Sequence, residues 1–203
     1  MAEPAKNENV VVLNNVRLSF PVLFKPEQVN GEGDEKFSAS FLITPDDTAN
    51  LSKVTAAMQR VAKSKWSDKA VENYKKLKAA DRLAVHDGNL KEYAGYEGML
   101  YIHAGNTVRP LVVDRNPKIV LAERDGRPYS GCYVNCSLEI WAQDNKYGKR
   151  INATLRGVQF FADGEAFSGG GVANSDEFDS YEDATDENGF DDVGAADDGG
   201  DLW

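Results

Sequence analysis

The chain has 203 residues, 41% of them hydrophobic and 10% aromatic, which is enough for one domain of ordinary size with a core and an appendage. No apolar run approaches the roughly 18 residues that a membrane span needs. The opening Met1–Glu8 is too polar for a secretory signal, so membrane and secreted classes are set aside. The formal charge of −10 is unevenly placed: 12 of the 33 acidic residues lie between Gly169 and Trp203, where there is no Lys or Arg, and the other 21 face all 23 bases. The expectation is a near-neutral to basic domain over 1–168 and an acidic tail over 169–203.

Val10–Leu13 opens a block of strands, in which Val16, Leu18 and Phe20 alternate with Arg17 and Ser19. Phe37, Ala39, Phe41 and Ile43 then form the apolar face of a second strand. Pro21, Pro26 and the run Asn30–Asp34 between the two predict a long polar loop in an antiparallel hairpin. The period changes after Thr44-Pro45-Asp46-Asp47, which offers a capping hydroxyl at Thr44, proline at the first helical position and acids over the positive end of the helix dipole. Leu51, Val54, Met58 and Val61 follow at helical spacing. A second helix starts near Ser67, with Val71, Tyr74 and Leu77 on one face. From Leu51 to Arg82 nine bases face three acids, which reads either as a solvated helix face or as a phosphate-contacting surface.

Period two returns at Met99–Ala104, with short strands at Leu111–Val113 and Ile119–Leu121 around Pro110 and Pro117. In a longer strand Cys132, Val134, Cys136, Leu138 and Ile140 make an apolar face. In the next, Ile151, Ala153 and Leu155 point inward while Arg150, Asn152, Thr154 and Arg156 point outward. Asp144–Gly148 is the turn between them. Four residues apart on a strand, Cys132 and Cys136 are about 13 Å apart, too far for a disulfide; two buried free thiols suit a reducing cytoplasm. Some seven strands with a helical insertion at about 47–82 predict a mainly β (α+β) fold, an antiparallel barrel or else a sandwich. After Ser168 the composition cannot bury enough surface to offset chain entropy, so 169–203 is expected to be disordered, with Phe178, Tyr181, Phe190, Leu202 and Trp203 as isolated apolar beads.

Catalytic machinery is hard to find. There is no GxxxxGK[ST] loop, no HExxH and no CxxC pair. The only histidines are His86, in a turn-like His86-Asp87-Gly88, and His103, on a strand. Acids such as Asp87 and Asp114 show no metal-binding spacing. No cofactor or metal is expected, and a metal-dependent DNA-processing nuclease stands only as an alternative. A second alternative is an acidic DNA mimic whose body does not bind DNA.

Nucleic-acid binding has more support. Proteins that hold single strands without sequence preference need bases for the backbone and exposed aromatic faces for stacking. Tyr133 and Trp141 lie on the polar side of one predicted strand, beside Lys146, Tyr147, Lys149, Arg150 and Arg156 on the adjoining turn and strand. Arg17, Lys36, Tyr93, Tyr96, Tyr101, Arg109, Arg115 and Tyr129 are weaker candidates. A flexible tail of 35 residues explores roughly 30 to 35 Å, at about 5 to 6 Å times the square root of its length. Its acids can compete with DNA for a basic groove. Once displaced, Asp197, Asp198, Asp201, Leu202 and Trp203 can offer an apolar side chain and a carboxylate to a partner protein.

The stretches Val16–Pro26, Phe37–Ile43, Asp87-Gly88 with Tyr93–Tyr96, Tyr129–Asn135, and Gly157–Phe160 with Asp163–Glu165 follow one another in an order that resembles a family of phage single-stranded DNA-binding proteins. The resemblance implies an OB-fold core with an inserted helical segment, an acidic C-terminal tail, and work in phage DNA replication, recombination or repair in the cytoplasm of an infected host. It also implies single-stranded DNA and replication or recombination proteins as partners, and no catalytic residues; self-association stays open. The terminal Asp197–Trp203 is similar in kind to the acidic tails of bacterial and phage single-strand binders, but ends in Trp where those commonly end in Phe.

Overall fold

A computed structural model of the chain describes residues 7–29 and 32–167. Seven strands lie in one sheet: β1 (Val10–Val29), β2 (Glu32–Ile43), β3 (His86–Asp87), β4 (Leu100–Asn106), β5 (Leu111–Val113), β6 (Tyr133–Asn145) and β7 (Gly148–Ala162). Their order is β3-β4-β2-β1-β6-β7-β5, and a further parallel pairing of β4 with β7, Ala104 opposite Ala153 and Gly105 opposite Thr154, closes five of them into a barrel. The closure excludes the sandwich and leaves the five-stranded Greek-key barrel of an OB-fold.

Alternation along the strands fills the barrel. Ala39, Phe41 and Ile43 of β2, Val134, Cys136, Leu138 and Ile140 of β6, and Ile151, Ala153, Leu155, Val158 and Phe160 of β7 are all buried. The inward set on β7 jumps from Leu155 to Val158 because Arg156 is an extra residue between the pairs Leu138–Leu155 and Ser137–Gly157. The Cys132 and Cys136 sulfurs are free and buried. Burial pushes the Cys132 thiol up to about 11 and raises that of Cys136 as well, so both stay protonated at neutral pH.

The stretch expected to be a loop after Pro21 is strand. β1 runs on to Val29, paired with β2 at Val22–Ser38, Glu27–Lys36 and Val29–Glu32. Proline is tolerated there because β1 pairs with β6 only as far as Arg17. Pro21 and Pro26 also fall in intervals where the β1–β2 register shifts and no ladder bond is asked of the missing N–H. Asn30 and Gly31 lie outside the described residues, as do Met1–Lys6 and all of the tail over 169–203, including Asp197, Asp198, Asp201, Leu202 and Trp203.

Between β2 and β3 lie α1 (Thr48–Trp66) and α2 (Ala70–Ala79), joined by a short turn of 3-10 helix. The N-cap is Asp47, not Thr44: its carboxylate accepts from the backbone N–H of Asn50 at 3.0 Å, while Thr44 and Asp47 close a turn ahead of the helix. Val54, Ala57, Met58 and Val61 join the barrel core. The side chain of Asn50, buried, accepts from the N–H of Asn14 and donates to its carbonyl, fixing the helix start to a bulge in β1. That bulge needs a positive φ at Asn15, 52°, which asparagine tolerates. In α2 the inward side chains are Ala70 and Leu77, with Tyr74 half-buried against the core, whereas Val71 is turned out, 68% exposed. Ile119–Leu121 makes only a single bridge, Val113 to Val120, and no strand.

Candidate nucleic-acid interface

The outer faces of β2, β4, β7 and β6 line an open groove of about 990 Å³. Ser40 pairs with His103, Ala104 with Ala153, and Asn152 with Trp141. These registers set Ser40, His103, Asn152 and Trp141 in one row across four strands, about 14 Å at the usual strand spacing. In an OB-fold this is the face that receives oligonucleotides, flanked by the β1–β2 and β6–β7 hairpins.

Aromatic rings stand at both ends of the row. Trp141 is 41% exposed, and its indole N–H donates to the Thr154 hydroxyl at 3.0 Å, which fixes the ring and leaves its face open. At the other end Phe20 and Tyr93, each 51% exposed, meet edge to face with centroids 4.9 Å apart. Tyr93 leans on Tyr96, Tyr96 on Tyr101, and Tyr101 stacks on His86. Phe20 reaches this cluster through a φ of 47°, a costly conformation for an aromatic residue, at the register shift before Pro21. The Tyr93–Tyr96 loop is held by close backbone contact. The Gly88 N–H donates to the Met99 carbonyl at 2.8 Å, and a Cβ at Gly88 would meet that same oxygen at 2.5 Å.

Lys36, Lys91 and Arg150 bring positive charge to the groove, against one carboxylate, Asp81. Asp81 is engaged with His86 Nδ1 at 2.9 Å. Among the described residues no ion pair ties up Lys36, Lys91 or Arg150. His103 is open to solvent on the groove floor yet walled in by protein atoms; desolvation, then the charges of His86 and Lys91, hold its pKa below the ordinary value. It enters the site as a neutral ring, with Nδ1 3.1 Å from the Ser40 hydroxyl. The groove thus joins stacking surfaces, cations and neutral hydrogen-bonding groups such as Asn152 and Thr154, the kit for a sugar-phosphate chain with its bases unpaired.

The candidates from sequence divide. Trp141, Lys36 and Arg150 line the groove, as do Tyr93 and Tyr101, whereas Tyr96, only 2% exposed, is its support and not a free face. Lys146 and Tyr147 form the tip of the β6–β7 hairpin beside the groove, Tyr147 being 73% exposed with the Lys146 ammonium 5.0 Å from its ring. Lys149 is paired with Asp144 and sits over the Trp66 ring. Arg156, at the bulge, is 3.3 Å from Glu139.

Arg17, Tyr133, Arg109 and Arg115 are not brought to the groove. The Arg17 guanidinium donates to the carbonyls of Gly131 and Glu165 and lies between the rings of Tyr133 and Phe167. With Tyr129, which bonds Asp163 and Gly164, it clamps the last described segment to the barrel. Arg115 donates to the Phe161 carbonyl at 2.7 Å, and Arg109 lies over Phe24. Phe20, Lys91 and His103 were not among the candidates. The signal for Phe20 was the proline after it, which breaks the alternation that had placed it inside. Asp87 caps a turn through the Asn89 N–H, Asp114 pairs with Arg127, and the described residues hold no group of three or more His, Cys, Asp or Glu placed to bind a metal.

Comparison with known proteins places the fold and the family. The chain is 49% identical over 179 residues to putative protein p50 of Acyrthosiphon pisum secondary endosymbiont phage 1, covering 87% of this chain and 96% of that protein. The single-stranded DNA-binding protein of bacteriophage Enc34, solved in complex with ssDNA, superposes with a TM-score of 0.67 at 26% identity, over 82% of this chain and 97% of the other. The gp2.5 single-stranded DNA-binding protein of bacteriophage T7 shares the fold, with a TM-score of 0.50 at 12% identity, over 84% of this chain and all of the other. A profile of the family described as "Enterobacter phage Enc34, ssDNA-binding protein" matches residues 9–189. The chain belongs to this family of phage single-stranded DNA-binding proteins.

Proposed function

We propose that this protein coats single-stranded DNA, without sequence preference and without catalysis, along the groove across β2, β4, β7 and β6. Trp141 at one end and Phe20 with Tyr93 at the other stack on bases, at about 1 to 3 kcal/mol per base. Lys36, Lys91 and Arg150 contact phosphates between them. The observation that carries this reading is the single row of Ser40, His103, Asn152 and Trp141, bounded by exposed aromatic rings and uncommitted cations on the oligonucleotide-binding face of the barrel. Duplex DNA offers no unstacked bases to those rings, so single strands are preferred.

The acidic tail competes for the same groove and, when DNA displaces it, presents Asp197, Asp198, Asp201, Leu202 and Trp203 to replication or recombination proteins of phage or host inside the infected cell. Its charge and its tether support this role. Salt-titrated binding of the full chain and of a version ending at Ser168, each on matched single-stranded and duplex DNA, tests both parts. Single-strand preference, with tighter binding after truncation that is most marked at low salt, is the expected result. Binding by neither form sinks the proposal.

A further inference from the structure

The helical insertion carries nine bases against three acids between Leu51 and Arg82, a surplus that the core does not explain. Among the described residues, only Lys76 of this set is in an ion pair, with Glu72 at 2.6 Å. Its C-terminal ends are joined to the β6–β7 hairpin at the edge of the groove. The Trp66 indole at the end of α1 donates to the Asp144 carboxylate at 2.9 Å. The same carboxylate is held below its ordinary pKa by Lys149 and Trp66, with Lys65 adding to the effect. On the other side the Arg82 carbonyl accepts from the Ile151 N–H at 3.0 Å. The Arg82 guanidinium lies close against Gly148, within 2.9 Å of where a Cβ would stand. Asp81, its neighbour, already lines the groove.

Positive side chains from both ends of the insertion therefore stand at the hairpin: Lys65, in the last turn of α1, acts on Asp144, and Arg82, just after α2, lies beside Gly148. Lys146 belongs to the hairpin itself. We propose that a single strand leaving the groove past Arg150 runs over the Lys146–Tyr147 tip and lays its phosphates on Lys65 and Arg82. The insertion then lengthens the binding track beyond the barrel. This rests on the groove reading above and extends it. The occupant follows from charge complementarity and from continuity with the groove, and no stacking is needed on the helices, where phosphate contact alone gives sequence-independent affinity. Lysines near a helix C-terminus also suit the helix dipole, and a purely dipolar or solvated role is the outcome that the test can return instead.

The test compares the full chain with the double variant Lys65→Gln, Arg82→Gln, on oligothymidylates of about 5 and about 20 nucleotides, one near the lower end of what one barrel covers and one beyond its upper end. The expected result is unchanged affinity for the short strand, roughly tenfold weaker binding of the long one at low salt, and a salt slope for the long strand reduced by about 1.4, at about 0.7 per lost phosphate contact. Thermal unfolding of the variant shows whether the helices persist. If both lengths bind as before, or both weaken alike, the extended track is overturned. The groove reading fails separately, if Trp141→Ala with Arg150→Gln leaves short-strand binding unchanged.

Discussion

Two regions of this barrel bring arginine and lysine next to aromatic rings, and only one of them has anything left to give a ligand. Around Arg17 the guanidinium is taken up by two backbone carbonyls and two rings, and Tyr133 lies under the Asp163–Phe167 stretch that Arg17 holds, where Gly164 comes close to its ring. Across the groove Trp141, Phe20 and Tyr93 keep open faces, and Lys36, Lys91 and Arg150 have no acidic partner among the described residues. Both places combine bases with aromatic rings. What separates a fastening from a binding surface is whether the donors and ring faces are already satisfied by protein.

The strongest way to break the distinction is at the backbone of the groove. Gly88→Ala forces a Cβ into the Tyr96 and Met99 carbonyls. It is expected to cost about 3 kcal/mol of stability, the upper range for overpacking, and to weaken DNA binding by displacing Tyr93, read by thermal unfolding and oligonucleotide titration together. Trp141→Ala is next: a loss of about 1 to 3 kcal/mol in affinity with an unchanged melting temperature. Affinity that survives this change would move the stacking site elsewhere.

Arg17→Gln is the mirror experiment. It should lower stability by about 1 kcal/mol, since the part-buried Gly131 carbonyl loses its donor, and leave the affinity of the folded protein alone. An affinity loss as large as that of Trp141→Ala would erase the contrast. The smallest effect is pH-dependent. Because the pKa of His103 is lowered in the fold, the unfolded chain takes up the proton first as pH falls through about 6.5, and stability declines below that point until the folded value is reached. Phosphates in the groove favour the protonated ring, so strand binding tightens over the same range. Proton uptake on binding near pH 6, absent in His103→Gln, is the check.

Legibility was uneven for reasons that the residues make plain. The alternation in Phe37–Ile43, Val134–Ile140 and Ile151–Leu155 read directly as strand because each has one buried face. Pro21 and Pro26 misled, since a proline in a register shift on an unpaired edge looks in sequence like one in a loop. Tyr133 and Trp141 are indistinguishable by parity on β6; only the segment folded back over one end of the strand covers the first and not the second.

Local pattern thus determined by itself the inward faces of β2, β6 and α1, the helical insertion, the buried thiols, and the charge split between body and tail, because these depend on neighbours a few residues apart. Barrel closure decided the rest. Pairing β4 with β7 brought together side chains far apart in sequence, from Phe20 and Lys36 to Lys91, His103, Trp141 and Arg150. Which cations and rings stay open to solvent is set by long-range packing, and no spacing along the chain encodes it.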